Sequence, residues 1–221
     1  MFEIAVGTLI LILGTMFSGK SSELINQFVI KSKISKWICL YFKPKRDIRD
    51  PKGIMMTHNG IIQANVFSID DERPELIVNV VKNYLDGKKV VIFIDEVQFF
   101  SPKIVDTINQ LLFASCDVYA GGLSSDYLGC PFETVSNLIP IADTVQIKKA
   151  VCVFEKPDGS ICGKPAIYSQ MFLDGQAVTE DINGRVHIGA KDEYKTFCRE
   201  HYTHNPTKNH LKIKDEVCAV H

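Results

Sequence analysis

From Ile4 to Leu13 the chain is apolar apart from Gly7 and Thr8, a run too short to span a bilayer and suited to a strand buried on both faces. Residues 19 to 35 then carry Leu24, Ile25, Phe28 and Val29 at the spacing of one helix face. WICLYF, 37 to 42, predicts a second strand, and IIQANVFSI, 61 to 69, alternates like a third. ERPELIVNVVKNYLDG places apolar residues at 76, 77, 80, 81, 84 and 85, a helical spacing that stops at Gly87. VVIFID, 90 to 95, is almost continuously apolar and reads as a central parallel strand; a helix from about 102 to 115 and the strand CDVYAGG, 116 to 122, follow. Strands alternating with helices predict an α/β fold with a parallel sheet covered by helices on both faces.

The pattern changes near Ala150. Beyond it helical periodicity fades, and turn signals stand at 157 to 159, 174 to 175 and 183 to 184, so residues 151–202 read as a small β-rich unit after a first domain at 1–150. Residues 203–221 have too few apolar positions for a core and are expected to form a mobile tail. With 221 residues, 46% of them hydrophobic, the chain can bury one full core and a small second unit.

Charge and cysteine content narrow the classes further. A net charge of -1 with Lys and Arg spread along the chain offers no basic stripe, so nucleic acid is not an expected partner. Glu3 stands where a signal peptide would be basic, and no small-residue cleavage site follows, so neither export nor membrane insertion is expected. Seven cysteines, an odd number scattered along the chain, point to a reducing, cytoplasmic setting.

Between the first strand and the first helix lies GTMFSGKS: Gly14, Thr15, Met16, Phe17, Ser18, Gly19, Lys20 and Ser21. Gly, four residues, Gly, Lys, Ser/Thr is the phosphate-binding loop pattern. Glycine permits the tight turn that aims backbone N–H groups at phosphate oxygens; Lys20 adds charge on the outer phosphates and the Ser21 hydroxyl suits Mg²⁺. Asp95 closes the central strand and Glu96 follows it, where a nucleotide-binding sheet carries its acid. Successive strand residues point to opposite sides, so the two carboxylates are expected to divide their work: Asp95 toward metal, Glu96 toward a second substrate.

GTMFSGKS, DEVQFF at 95 to 100 and GAKDEYKTFCREHY at 189 to 202, in this order and approximate spacing, resemble the type II thymidine kinases, a zinc-containing family. The likeness runs from about Leu9 to Tyr202; Thr15 stands where family members often carry proline. The resemblance implies a P-loop, RecA-like sheet with a small zinc-binding lid. It implies transfer of the γ-phosphate of ATP, with Mg²⁺, to the 5′-hydroxyl of thymidine, giving dTMP. It also implies a homotetramer and feedback inhibition by dTTP. Glu96 then matches the general base, and Arg49 an arginine that reaches the phosphates, with Arg46 the alternative if the register differs. Met16, Phe99, Leu123, Tyr127 and Phe132 match positions around the base, and Tyr194 a group beside the sugar or lid. The segment from Leu173 to Lys191 would be the lid, holding the base through the backbone of Val186, His187 and Ile188, with Gly175, Gly184 and Gly189 as pivots.

For zinc, the resemblance implies Cys198 and His201, spaced Cys-x-x-His, together with Cys152 and Cys162. The family commonly has Cys-x-x-Cys in the second pair; here nine residues intervene, and the ProAspGly turn among them would return Cys162 to Cys152 in a hairpin. Cys218 or His187 is the alternative fourth ligand. A nucleotide switch with a zinc-based binding module, or a kinase for another deoxynucleoside, remains as a rival reading.

Overall fold

Six strands lie side by side and all run the same way: β1 (Leu9–Gly14), β2 (Trp37–Pro44), β5 (Val66–Ile69), β6 (Lys89–Ile94), β7 (Asp117–Leu123) and β8 (Thr144–Lys148), in the order β5-β2-β6-β7-β1-β8. This computed structural model describes residues 6–47, 54–56, 62–64, 66–182 and 193–203. The described residues fall into two compact units, bounded as Met1–Ser124 with Pro131–Ala150, and Ser125–Cys130 with Val151–His221.

The apolar strands of the first unit send alternate residues to opposite faces. On one face Leu9, Leu11 and Leu13 of β1, Leu40 and Phe42 of β2, and Val90, Ile92 and Ile94 of β6 form a single buried cluster. It is covered by α2 (Leu76–Val81), α3 (Ile104–Phe113) and α4 (Glu133–Leu138). On the other face Ile12, Tyr41, Val91 and Phe93 pack against Leu24 and Ile25 of α1 (Lys20–Ser32). Burial of each such aliphatic side chain contributes about 1.5–3 kcal/mol, so both faces are strongly held. Tyr41, Phe93 and Tyr119 stack in a row beneath Phe28 of α1, which fixes the Tyr41 ring near the C-terminal end of the sheet.

The segment at 61 to 69, expected as one strand, is divided. β4 (Ile62–Ala64) pairs antiparallel with β3 (Ile54–Met56), while β5 joins the main sheet. Alternation marks extended chain but does not say which partner it takes. The helix expected through residue 85 gives way after Val81 to a tighter 3₁₀ turn, Lys82–Tyr84.

In the second unit β9 (Ala150–Val151) pairs with β10 (Pro165–Ala166), and β11 (Tyr168–Leu173) lies antiparallel between β12 (Gln176–Ala177) and β13 (Tyr194–Phe197). Asp174 and Gly175, both with positive φ, make the two-residue turn from β11 to β12 that the sequence signalled. Residues 125–130 group with this unit rather than the first. Tyr202 holds them there: its hydroxyl donates to the Tyr127 carbonyl at 2.8 Å, and its ring stacks on Tyr168 beside Gly129. Among the described residues no helix is long and apolar enough to cross a membrane, and no cysteine is joined in a disulfide. The tail expected at 203–221 lies outside the described residues from 204 onward.

Candidate active site

Residues Gly14–Ser21 turn from the end of β1 into α1, as the motif requires. Gly14 cannot be replaced cheaply, because a Cβ there would lie 2.2 Å from the Lys148 carbonyl oxygen of neighbouring β8. Gly19 occupies the left-handed region, φ 79°, at the cap of α1. It has no side chain to cap the first turn, the arrangement in which helix N-terminal N–H groups bind phosphate oxygens. Phe17 is also left-handed, with φ 59°, a conformation that stores about 1–3 kcal/mol in a non-glycine residue and is characteristic of ligand-binding turns. Lys20 is buried and donates from Nζ to the Thr15 carbonyl at 2.7 Å; the Ser18 hydroxyl shares that acceptor at 2.8 Å. Met16, Ser18 and Ser21 are half-buried and Phe17 is exposed.

Asp95 and Glu96 follow β6, which is separated from β1 by β7, so loop and carboxylates share the C-terminal end of the sheet. Both are buried. Asp95 Oδ2 accepts from the Tyr41 hydroxyl at 3.3 Å and Oδ1 from the Glu96 amide at 2.9 Å. Burial, and next the Asp95 carboxylate with Glu96 and Asp47 beyond it, pushes the Tyr41 phenol well above its ordinary value, so it remains a donor. Gly121 faces Asp95: a Cβ there would be 3.2 Å from Oδ1 and 3.4 Å from Leu24 Cδ2, so a larger residue would press on the carboxylate. A buried carboxylate and the Ser21 hydroxyl are the hard oxygen donors that Mg²⁺ takes, and they fit it.

Glu96 is itself left-handed, φ 48°, and its Oε2 accepts from Gln98 Nε2 at 2.5 Å. Lys43, 2% exposed at the end of β2, adds a second buried ammonium; its Nζ has no hydrogen-bond partner among the described residues. Sequence reading passed over Gln98, Tyr41 and Lys43. The available signal was a lone lysine at the end of the apolar run WICLYFKP and a glutamine inside DEVQFF.

The four expected metal ligands converge in the second unit. Sγ of Cys152, Cys162 and Cys198 and a ring nitrogen of His201 all lie within 4.8 Å of one another. His201 Nδ1 is 3.5 Å from Cys152 Sγ and 3.4 Å from Cys198 Sγ. In a tetrahedral zinc site sulfur and nitrogen ligands lie about 3.6 Å apart, so the donor set and its spacing fit zinc. The hairpin between Cys152 and Cys162 is present: Cys162 N donates to Phe154 O, Gly163 N to Cys152 O, and Gly159 takes the positive φ of the turn. Phe154 stacks on the His201 ring at 3.9 Å between centroids and fixes its plane. Burial pushes the Cys152 thiol up. At Cys198 burial acts the same way, but hydrogen bonds from the Glu200 backbone, the Cys152 side chain and the His201 backbone together outweigh it and hold that thiol below its ordinary value.

The remaining expected residues stand in both units. Phe99 ends the short 3₁₀ turn after Glu96, and Leu123 ends β7; both are half-buried. Phe132 precedes α4 and packs against the core of the first unit. Tyr127 and Tyr194 are buried in the second unit, Tyr194 opening β13 with its hydroxyl 3.7 Å from Met171 Sδ. Arg49, Val186, His187 and Ile188, with Gly184, Gly189 and Cys218, lie outside the described residues. Arg46 is engaged elsewhere, with Asp71 and Glu72.

A family model described as thymidine kinase matches residues 7–202. The thymidine kinase of Pyrobaculum aerophilum is 34% identical over 199 residues, which is 90% of this chain and 100% of that protein. The thymidine kinase of Thermococcus kodakarensis is 34% identical over 197 residues, 89% of this chain and 94% of that one.

Proposed function

Because the chain belongs to the thymidine kinase family, we propose that it transfers the γ-phosphate of ATP to the 5′-hydroxyl of thymidine and releases dTMP and ADP. The observation that supports this most is the phosphate loop Gly14–Ser21 at the same end of the sheet as the buried carboxylates Asp95 and Glu96. A nucleotide switch needs the loop and a metal acid; the adjacent Glu96 adds a proton acceptor for a second substrate.

Loop N–H groups and Lys20 bind the phosphates and offset charge on the transferring group. Ser21 and Asp95 hold Mg²⁺, which neutralises phosphate charge when bound. Glu96 accepts the hydroxyl proton; in a loose transition state that proton leaves late, so a carboxylate is an adequate base. Arg49 is the arginine assigned to the phosphates, and the engagement of Arg46 with Asp71 and Glu72 favours that choice. For the nucleoside the resemblance assigns Met16, Phe99, Leu123, Tyr127, Phe132, Val186, His187, Ile188 and Tyr194. Cys152, Cys162, Cys198 and His201 hold a structural zinc, a closed four-ligand set of the type II branch. A cytoplasmic homotetramer inhibited by dTTP completes the proposal.

The acceptor is tested by offering the protein Mg²⁺, ATP and a panel of thymidine, deoxyuridine, deoxycytidine, deoxyadenosine and deoxyguanosine. We expect dTMP to form with the highest kcat/KM. Strong preference for another nucleoside would overturn the thymidine assignment.

A further inference from the structure

We propose that Gln98 is a positioning residue for the reaction: its carboxamide, oriented by the Leu123 amide and given room by Gly122, fixes the orientation of the Glu96 carboxylate. This rests on the reading of Glu96 as the base.

Gln98 is buried, 5% exposed, and both ends of its carboxamide are used. Oε1 accepts from the Leu123 N–H at 3.0 Å, and Nε2 donates to Glu96 Oε2 at 2.5 Å. The polarity of the amide follows from its partners. Rotated by half a turn, it would set NH₂ against a backbone N–H and a carbonyl oxygen against a carboxylate, two repulsive contacts in a buried place. A backbone N–H at the end of β7 therefore determines that Gln98 presents a donor to Glu96. A donor held in place by the backbone fixes which way the carboxylate faces, the geometry a base needs before the hydroxyl proton moves.

Gly122 supplies an independent sign that this placement is built in. A Cβ at 122 would lie 2.7 Å from Gln98 Oε1 and 2.9 Å from Val97 Cγ1, so any larger residue must displace the carboxamide. Glu96 needs such support, because its left-handed backbone, φ 48°, is unfavourable for a residue with a side chain and persists only where its surroundings hold it.

The test compares Gln98→Met, Gln98→Glu and Gly122→Ala with the parent protein, by kcat, KM for ATP and thermal unfolding. Gln98→Met removes the donor and leaves the Glu96 carboxylate free to turn, so kcat should fall about ten- to a hundredfold with KM for ATP within about threefold. Gln98→Glu retains shape but sets an acceptor against the Glu96 oxygen, and its kcat should fall at least as far. Gly122→Ala displaces the carboxamide while Gln98 itself is kept, and should lower kcat in the same way. A merely structural role would lower the unfolding temperature and leave kcat of the folded variant within about threefold of the parent; that result overturns the proposal. If Gln98→Met does not fold, the near-isosteric Gln98→Glu decides by the same split of kcat from KM. Glu96→Gln is measured alongside: full turnover there would overturn the base assignment itself. Lost turnover there with undiminished kcat in the Gln98 variants overturns only the positioning role.

Discussion

Glu96→Gln is expected to lower kcat by about 10²–10⁴-fold while the dissociation constant for ATP stays within about twofold. The substitution is nearly isosteric, and glutamine at 96 still offers a carbonyl oxygen to the Gln98 NH₂ group, so the strained backbone at this position keeps its support. What is lost is the ability to take a proton. The phosphate loop and the Asp95 carboxylate, tied to Tyr41, are untouched, so nucleotide binding is preserved. Because the proton is accepted only as the hydroxyl attacks, kcat and kcat/KM for the nucleoside should fall together. Steady-state kinetics with a separate ATP titration checks this. Turnover within about threefold of the parent would remove Glu96 from the role of base.

The second large effect concerns the metal cluster. Protein prepared without chelator is expected to carry one zinc per chain by elemental analysis, and Cys198→Ala to lose it. The consequence for folding is severe because the second unit has little core of its own. Among its described residues the buried apolar side chains include Tyr127, Ala166, Met171, Val178, Tyr194, Phe197 and Tyr202, against two full clusters on the sheet of the first. Zinc sites in small units supply about 10–16 kcal/mol of apparent binding energy, which in such units is folding energy. Cys198 adjoins β13 and Tyr202, the residue that grips the Tyr127 segment, so loss of the metal should release both. Hydrogen exchange should therefore rise by about a hundredfold or more in Tyr194–Phe197, while β1 and β6 stay protected. Unchanged protection of that strand in zinc-free Cys198→Ala would show that the cluster does not hold the unit together.

The parallel sheet was legible because its central strands are buried on both faces and therefore almost continuously apolar, as in LILILG and KVVIFI. Two of its neighbours were not. β8, TVQIK, is an edge strand with nearly every residue exposed, so nothing in its hydropathy announces it, and α4 is only six residues long. The attachment of residues 125–130 to the second unit was equally hidden, since it depends on Tyr202 reaching the Tyr127 carbonyl 75 positions away. In the candidate site the local motifs were readable: the phosphate loop, the acid pair and the Cys-x-x-His each contain their chemistry in a few adjacent residues. Cys162 required the turn at Gly159 to be recognised inside a nine-residue gap. Gln98 stood in view within DEVQFF, yet its function lies in a hydrogen bond to Leu123, 25 positions on, and in the absence of a Cβ at Gly122. Long-range polar contacts of this kind leave no periodic trace.

The destination of the γ-phosphate tests the central claim most directly. The protein is incubated with Mg²⁺, thymidine and ATP labelled in its γ-phosphate, and the products are separated. Label should appear in thymidine 5′-monophosphate, one for each ADP formed, and ADP formation should depend on thymidine. Label recovered only as inorganic phosphate, at a rate indifferent to thymidine, would contradict the account and make this chain a nucleotide hydrolase.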